Sequence, residues 1–159
     1  PSALRMSAAA TPEPAAAVRA SAAEGGVVRI QSRKHGYFAQ GQVQQPFDAA
    51  YPTALDYLLG ALAADLIAGL EREARRAGAS LGAVEASLSA RLENPLVPIG
   101  VLGESGSSRV ARIRGSVYVS GKIEEEVLRD LWDEAQRKAT VFTTLSQSVP
   151  VDVSIQIIL

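Results

Sequence analysis

One long apolar segment constrains the fold of this chain more than any other feature. The run from Tyr57 to Leu70, about 14 residues, contains a single charged residue, Asp65. Because roughly 20 apolar residues are needed to cross a bilayer, we expect a buried core helix and no membrane-spanning segment. Pro52 suits the first turn of such a helix and Gly78 suits its C-terminal cap. The pattern predicts a helix from Pro52 to about Ala77 that is buried on most sides.

Segments with strand periodicity lie on both sides of this helix. Val84 to Leu92 alternates apolar and polar residues, and so does Arg109 to Ser120, whose odd-numbered residues are predicted to face the core. Before the helix, two β-prone runs around Lys34 to Gly36 predict a hairpin in which the glycine supplies the turn. The remaining elements are a second, amphipathic helix from Lys122 to Lys138 and a closing strand from Val149 to Ile158.

The order of these elements predicts the fold class. Two strands, a long helix, two strands, a second helix and a final strand indicate an α+β fold, with mostly antiparallel sheets packed around the long buried helix. A chain of 159 residues with 47% hydrophobic content can form one domain with a substantial core. We assign residues 27–159 to that domain.

Residues 1–26 differ in composition from the rest of the chain. They are rich in Ala, Ser and Pro and lack aromatic residues, so we expect an extension that is flexible unless a partner orders it. The run from Leu4 to Ala8 is similar to the end of a plastid transit peptide. Two interpretations stay open: a transit-peptide remnant of a plastid protein, or the low-complexity N-terminus of a cytoplasmic one.

Two further segments carry a resemblance to a known family. The run from Pro52 to Asp65 (PTALDYLLGALAAD) resembles the core helix of OsmC/Ohr proteins, in which a peroxidatic cysteine follows the proline by thirteen residues. The segment from Arg137 to Leu145 (RKATVFTTL), followed by a closing strand, resembles the part that holds the resolving cysteine. The resemblance covers roughly residues 27–158. It implies an OsmC-like fold and an intertwined homodimer with the apolar helix packed between sheets.

Both cysteines of the family are replaced in this chain. Asp65 and Ala139 stand at the two positions, and the chain contains no cysteine at all. The family reduces organic hydroperoxides through a thiolate, a sulfenic acid and a disulfide, and neither a carboxylate nor a methyl group can perform that chemistry. We therefore expect no catalytic residues of the family's kind, and we treat Asp56, Asp65 and Ala139 as vestigial site positions. Asp56 matches the family's glutamate at the helix start.

Asp65 itself permits two interpretations. A buried carboxylate with a raised pKa can act as an acid or a base. Asp56 lies nine residues earlier, which is about half a turn around a helix, so the two side chains are not expected to converge within one chain. The alternative is structural: Asp65 pairs with an arginine or lies exposed at a widened interface. Asp56 would then complement the helix dipole.

Other site chemistries are not supported. His35, the only histidine, lacks a nucleophile motif and is expected on a surface turn. One histidine without cysteine does not suggest a metal site, and we predict no metal and no cofactor. The glycine-rich run from Gly103 to Ser108 lacks the ending of a phosphate loop. A net charge of −1, with basic residues scattered among acidic ones, argues against direct nucleic-acid binding.

Two classes of function remain. The first is a non-catalytic, structural or accessory subunit that acts as a homodimer or hetero-oligomer within a larger protein assembly. An organellar (plastid) assembly is one interpretation. The second is a cysteine-free enzyme or binder of small hydrophobic ligands, related to organic hydroperoxide reductases. We expect the first, because both reactive groups are lost while the hydrophobic framework is intact.

Overall fold

The computed structural model describes residues 14–41 and 49–158 of the chain. The predicted transit-like run at residues 4–8 lies outside this part. The elements, in chain order, are strand β1 (Arg19–Ala22), strand β2 (Val27–Ser32), strand β3 (His35–Gln40), helix α1 (Ala54–Ala77), strand β4 (Val84–Leu92), strand β5 (Val110–Ser120), helix α2 (Glu125–Lys138), helix α3 (Thr140–Ser146) and strand β6 (Val151–Ile158). This arrangement confirms the α+β class.

The first three strands form an antiparallel sheet in the order β1-β2-β3, here called the N-terminal sheet. The predicted hairpin exists, but the prediction that glycine supplies its turn is wrong. Ser32 pairs with His35, so the turn residues are Arg33 and Lys34, and Arg33 takes the left-handed conformation with φ 52°. Strand β1 lies inside the predicted N-terminal extension, and its four exposed residues carry no apolar pattern that would have indicated it.

The second sheet has the order β4-β5-β6 and is here called the C-terminal sheet. Strands β4 and β5 pair antiparallel along their length, whereas β5 and β6 pair parallel. A parallel neighbour needs a long crossover, and helices α2 and α3 provide it. The antiparallel expectation therefore holds for every pair of described strands except this one.

Helix α1 starts and ends through local chemistry. The helix begins at Ala54, two residues after the predicted start. Its N-cap is Thr53, whose hydroxyl oxygen accepts a hydrogen bond from the Asp56 backbone N–H at 3.1 Å. The carboxylate of Asp56 accepts in return from the Thr53 N–H at 2.8 Å, which completes a capping box. Gly78 ends the helix in the left-handed conformation, as predicted.

The core lies between helix α1, the inner face of the C-terminal sheet and helix α2. Its largest fully buried side chains are Leu62, Leu66, Leu70, Ile113, Val117, Val119 and Leu128. The odd-numbered residues of β5 face this core, as predicted, and Trp132 is buried in it. Among the described residues, no helix combines the length and the apolar composition that a transmembrane span requires.

Helix α1 is less enclosed than its sequence predicts. Gly60, Ala61, Ala64 and Ala68 form an exposed face of small residues along one side of the helix. The prediction of burial on most sides is therefore wrong for the single chain. This face is called the small-residue face of α1 below.

Gly115 tests how tightly β4 and β5 are packed. A Cβ atom at this position would lie 2.1 Å from the Ser87 carbonyl oxygen and 2.6 Å from Leu88 Cδ2. We expect Gly115→Ala to lower the free energy of unfolding by about 2–4 kcal/mol, because the backbone of β4 must move. Urea denaturation followed by circular dichroism measures the change. As a control, Gly36→Ala, whose Cβ would have its nearest neighbour at 4.0 Å, should change stability by less than about 1 kcal/mol.

Candidate functional site at the contact between helices α1 and α3

A single carboxylate oxygen of helix α1 holds the start of helix α3. Asp65 Oδ2 accepts hydrogen bonds from the backbone N–H groups of Val141 at 2.8 Å and Phe142 at 3.1 Å. These are the second and third residues of α3, whose amides normally bond an N-cap side chain. The N-cap position is Ala139, which has no side-chain acceptor. Asp65 therefore caps a helix that begins 75 residues later in the chain.

The chain changes direction at Ala139, between helices α2 and α3. Ala139 has extended backbone angles, φ −75° and ψ 116°, and its methyl group is buried in the core. Its carbonyl oxygen accepts from the Thr143 N–H at 2.9 Å and from the Thr143 hydroxyl at 2.7 Å. The position predicted to match the family's resolving cysteine thus lies two residues before the first amide that Asp65 binds.

The structure distinguishes in part between the two interpretations of Asp65, as an acid or base and as a structural residue. Its hydrogen-bond partners are backbone amides and not the expected arginine, and no ion pair to this residue is formed within the described part of the chain. The positive end of the α3 dipole complements its charge. Because both amides bind the same oxygen, a proton-transfer role for Oδ2 would require breaking the cap.

Asp56 does not join this site. Its carboxylate is engaged in the capping box and also accepts from the Thr53 hydroxyl at 2.9 Å. Nine helical residues separate it from Asp65, which corresponds to about 13.5 Å along the axis and half a turn around it. The structure therefore brings together Asp65 and the segment after Ala139, and leaves Asp56 apart.

A charged network that the sequence did not reveal lies next to Ala139. Glu73 of α1 is only 6% exposed, and its carboxylate lies 3.0 Å from Lys138 Nζ and 3.3 Å from a terminal nitrogen of Arg76. Lys138 also lies 2.8 Å from Glu134, one turn earlier on α2. The Glu134–Lys138 spacing of four was visible in the sequence, but the contact to Glu73 depends on how the two helices pack. The network fixes the end of α2 against α1.

The other candidate residues and surface grooves show little that suggests a catalytic or metal site. His35 is exposed at the start of β3. Within residues 14–41 and 49–158 no group of three His, Asp or Glu side chains could hold a metal ion. Two open grooves flank the start of α1. One, of about 540 Å³, lies between Leu55, Leu59 and the end of β4, and the other, of about 510 Å³, is lined by Tyr37, Pro52, Asp56, Tyr57, Gly60 and Ala61.

The Asp65 cap predicts a defined loss of stability. We expect Asp65→Ala to lower the free energy of unfolding by about 2 kcal/mol, because two partly buried amides lose a charged acceptor. Asp65→Asn keeps an amide oxygen and should cost less. Asp133→Ala, at an exposed site on α2, serves as the control and should stay within about 0.5 kcal/mol of the wild type in urea denaturation. Equal effects of Asp65→Ala and Asp133→Ala would contradict the capping role.

Glu134 provides a prediction on pH. Hydrogen bonds from Arg137, and then from Lys138, lower the pKa of the Glu134 carboxyl to about 2. A lowered pKa means that this group's contribution to stability is present above the ordinary value of 4.5 and is lost as the pH falls toward 2. Carbon NMR of the side-chain carboxyl should show the low midpoint. Arg137→Gln should raise that midpoint, whereas Arg129→Gln, which removes a partner of Glu125, should leave it unchanged.

Comparisons with known proteins agree with this architecture. The family model described as OsmC-like protein matches residues 47–154. No curated protein matches the chain. Among solved structures, an OsmC-like protein from Mycoplasma pneumoniae superposes with a TM-score of 0.78 at 14% identity, covering 93% of this chain and 100% of that one.

Two structures of hydroperoxide-resistance proteins are also similar. An organic hydroperoxide resistance protein OsmC from Legionella pneumophila has a TM-score of 0.63 at 10% identity, covering 92% of this chain and 99% of its own. The organic hydroperoxide resistance protein OhrB of Bacillus subtilis has a TM-score of 0.59 at 14% identity, with 89% and 97% covered. At these identities the likeness is one of fold. Since the family match spans more than half of the chain, this protein belongs to the OsmC-like family.

Proposed function

We propose that this protein is a non-catalytic member of the OsmC-like family that serves as an accessory interaction subunit. The Asp65 cap is the observation that carries the proposal. By the sequence resemblance, Asp65 stands where relatives carry the peroxidatic cysteine and Ala139 where they carry the resolving one. The oxygen at position 65 binds the amides of Val141 and Phe142, so the site is used to hold α3 in place.

The replacement of the family's two cysteines by Asp65 and Ala139 has a simple physical interpretation. In a peroxidase of this family, the two cysteines join the central helix to the segment before α3 during each catalytic cycle. Here a carboxylate–amide contact joins α1 to the start of α3 without redox chemistry. A chain without sulfur nucleophiles cannot form the sulfenic acid or the disulfide that hydroperoxide reduction requires.

The interaction role is supported by surfaces that the single chain leaves open. The small-residue face of α1 allows another backbone to approach closely, in the way that small residues do at helix contacts. Among the described residues, the N-terminal sheet is linked to the region around the start of α1. The Tyr57 hydroxyl donates to the Phe38 carbonyl oxygen at 2.6 Å, and the Tyr37 ring lies 5.3 Å from that of Tyr57. We propose that a second copy or a related subunit covers these surfaces, as the family resemblance implies.

A second candidate function rests on the groove between the N-terminal sheet and α1. Tyr37, Pro52, Tyr57, Gly60 and Ala61 give this volume of about 510 Å³ a largely apolar lining, with Asp56 at one side. Its size is within the range of small-molecule sites. A small hydrophobic ligand that remains bound through purification would favour this function.

The deciding experiment is the native mass of the endogenous protein in a gentle extract, with co-migrating proteins identified. We expect migration well above twice the 16.7 kDa chain mass, together with defined partners. A free dimer that carries a ligand in native mass spectrometry would support the second candidate. Peroxide consumption by the purified protein with a dithiol present would contradict the non-catalytic assignment. The plastid location stays a prediction.

A matched pair of variants tests the surface. Ala64→Arg places a long charged side chain in the small-residue face of α1 and should shift the protein to smaller species in size-exclusion chromatography with light scattering. Ala77→Arg makes the same substitution at the exposed end of the same helix and should leave the mass unchanged. Unchanged mass in both variants would show that this face is not the interface.

A further inference from the structure

The loop between β4 and β5, residues 93–109, presents an unusual apolar surface. Its stretch from Pro95 to Gly103 contains no charged residue. Four of its side chains are exposed: Leu96 by 40%, Ile99 by 50%, Val101 by 42% and Leu102 by 98%. We call these four side chains the apolar tip. Leu102 is almost as accessible as in an extended peptide, although burying such a side chain is favourable in water.

The loop holds a defined shape through local hydrogen bonds. The backbone N–H of Leu96 donates to Asn94 Oδ1 at 3.0 Å, and the N–H of Gly100 donates to the Val97 carbonyl oxygen at 3.1 Å. The N–H of Val101 donates to the Leu96 carbonyl oxygen at 3.3 Å, and the Asn94 amide donates to Glu104 at 3.0 Å. These bonds hold the turn in shape. The amides of Ile99 and Leu102 have no such bond among the described residues, so on insertion they would have to stay within reach of water or headgroup oxygens.

Arginines lie at the base of the loop on the outer face of the C-terminal sheet. Arg91 and Arg112 are directly opposite each other on β4 and β5, and Arg114 follows two residues along β5. Arg112 pairs with Asp152 at 3.5 Å, and Arg109 pairs with Glu93 at 3.0 Å.

Arg91 and Arg114 have no carboxylate partner among the described residues. Asp152 lies directly opposite Arg114 on β6 but pairs with Arg112, so an external anion at this face would find Arg91 and Arg114 without an ion-pair partner in the described part of the chain.

The two arginines lie at different distances from the loop. Arg91 is the second-last residue of β4, whereas Arg114 pairs with Ser89, two residues farther from the loop, which is about 7 Å along a strand. Segments that bind in the membrane interface bury their apolar side by roughly 5–10 Å at the boundary of headgroups and acyl chains. Arg91 would therefore be the nearer of the two to the headgroup phosphates when the tip is inserted.

The size of the tip favours a lipid surface over a protein partner. Each partner of a standard protein interface buries roughly 800 Å². Four partly exposed side chains on a protruding turn supply on the order of half of that area. We propose that the β4–β5 loop inserts its apolar tip into the surface of an anionic bilayer, with Arg91 and Arg114 facing the lipid phosphates. This proposal does not depend on the proposed function.

The absence of cysteine makes a site-specific test direct. Leu102→Cys, labelled with an environment-sensitive fluorophore, carries a single thiol in the whole chain. Vesicles with equal parts of phosphatidylcholine and phosphatidylglycerol should shift its emission to shorter wavelength, and quenchers on the lipid chains should reduce it. Val127→Cys, at an exposed apolar residue of α2, is the matched control and should show neither change.

Sedimentation with the same vesicles tests the unlabelled protein. Leu102→Asp combined with Ile99→Asp should reduce the bound fraction at least about tenfold, whereas Val127→Asp should bind like the wild type. Arg91→Gln with Arg114→Gln should weaken binding several-fold and remove its sensitivity to salt. Circular dichroism spectra and melting temperatures equal to those of the wild type show that the variants are folded.

Several outcomes would overturn the proposal. The proposal is wrong if the wild type stays in the supernatant with vesicles of phosphatidylcholine alone and with the mixed vesicles. It is also wrong if the variant with Leu102→Asp and Ile99→Asp sediments as much as the wild type. Equal binding to vesicles of phosphatidylcholine alone would refute the role of Arg91 and Arg114. A fluorescence change at residue 102 that occurs with a protein partner and never with vesicles would identify a protein-docking loop instead.

Discussion

The hydrogen bonds between Asp65 and the start of α3 join two parts of the chain that are far apart in sequence. Helix α3 has seven residues, no side-chain N-cap of its own and no fully buried side chain. Its position nevertheless determines where the chain enters β6, the parallel edge strand of the C-terminal sheet. The carboxylate supplies from α1 what the local sequence of α3 lacks. This contact in the middle of the central helix is therefore one of the interactions that position the crossover before β6.

A carboxylate cap and a disulfide stabilise a fold in different ways. A disulfide also restricts the unfolded chain, and the typical effect is about 2–4 kcal/mol. A cap acts only in the folded state and contributes about 0.5–2 kcal/mol. The cap does not respond to oxidants, so the contact between α1 and α3 is independent of redox conditions. The Glu73–Lys138 ion pair beside it adds a second connection between α1 and the end of α2.

The elements that could be predicted are those whose signal is local. Strand β4 alternates over nine residues, and α1 has a capping box, an apolar body and a C-terminal glycine, so the sequence indicates both directly. Helix α3 was missed because its cap is non-local and its sequence, TVFTTLS, is rich in β-branched residues. Strand β1 was missed because it pairs through its backbone and buries no side chain.

The candidate site also combines features that the sequence indicates locally with features that depend on the fold. The spacing of sequence motifs singled out Asp65 and Ala139, and their match to the family's cysteines stays a prediction, whereas the partners of Asp65 required the fold. An arginine was the natural expectation for a buried carboxylate, and the amides of a helix start are invisible in a sequence because every residue carries one. The exposure of Gly60 and Ala64 was also unpredictable, since an apolar helix does not reveal which of its sides a single chain leaves uncovered.

The narrow attachment of the N-terminal sheet has a consequence for dynamics. Its described links to the rest of the chain are concentrated at the start of α1, including the hydrogen bond from the Gln40 N–H to the Pro52 carbonyl oxygen at 3.0 Å and that from Tyr57 to Phe38. Breaking these few links would release the sheet without exposing Leu62, Leu66 or Leu70. We therefore expect the sheet to open as a separate cooperative unit, with amide hydrogens that exchange at a lower opening free energy than those of the core. A unit of this kind can be exchanged between two identical chains, so the architecture is suited to domain swapping.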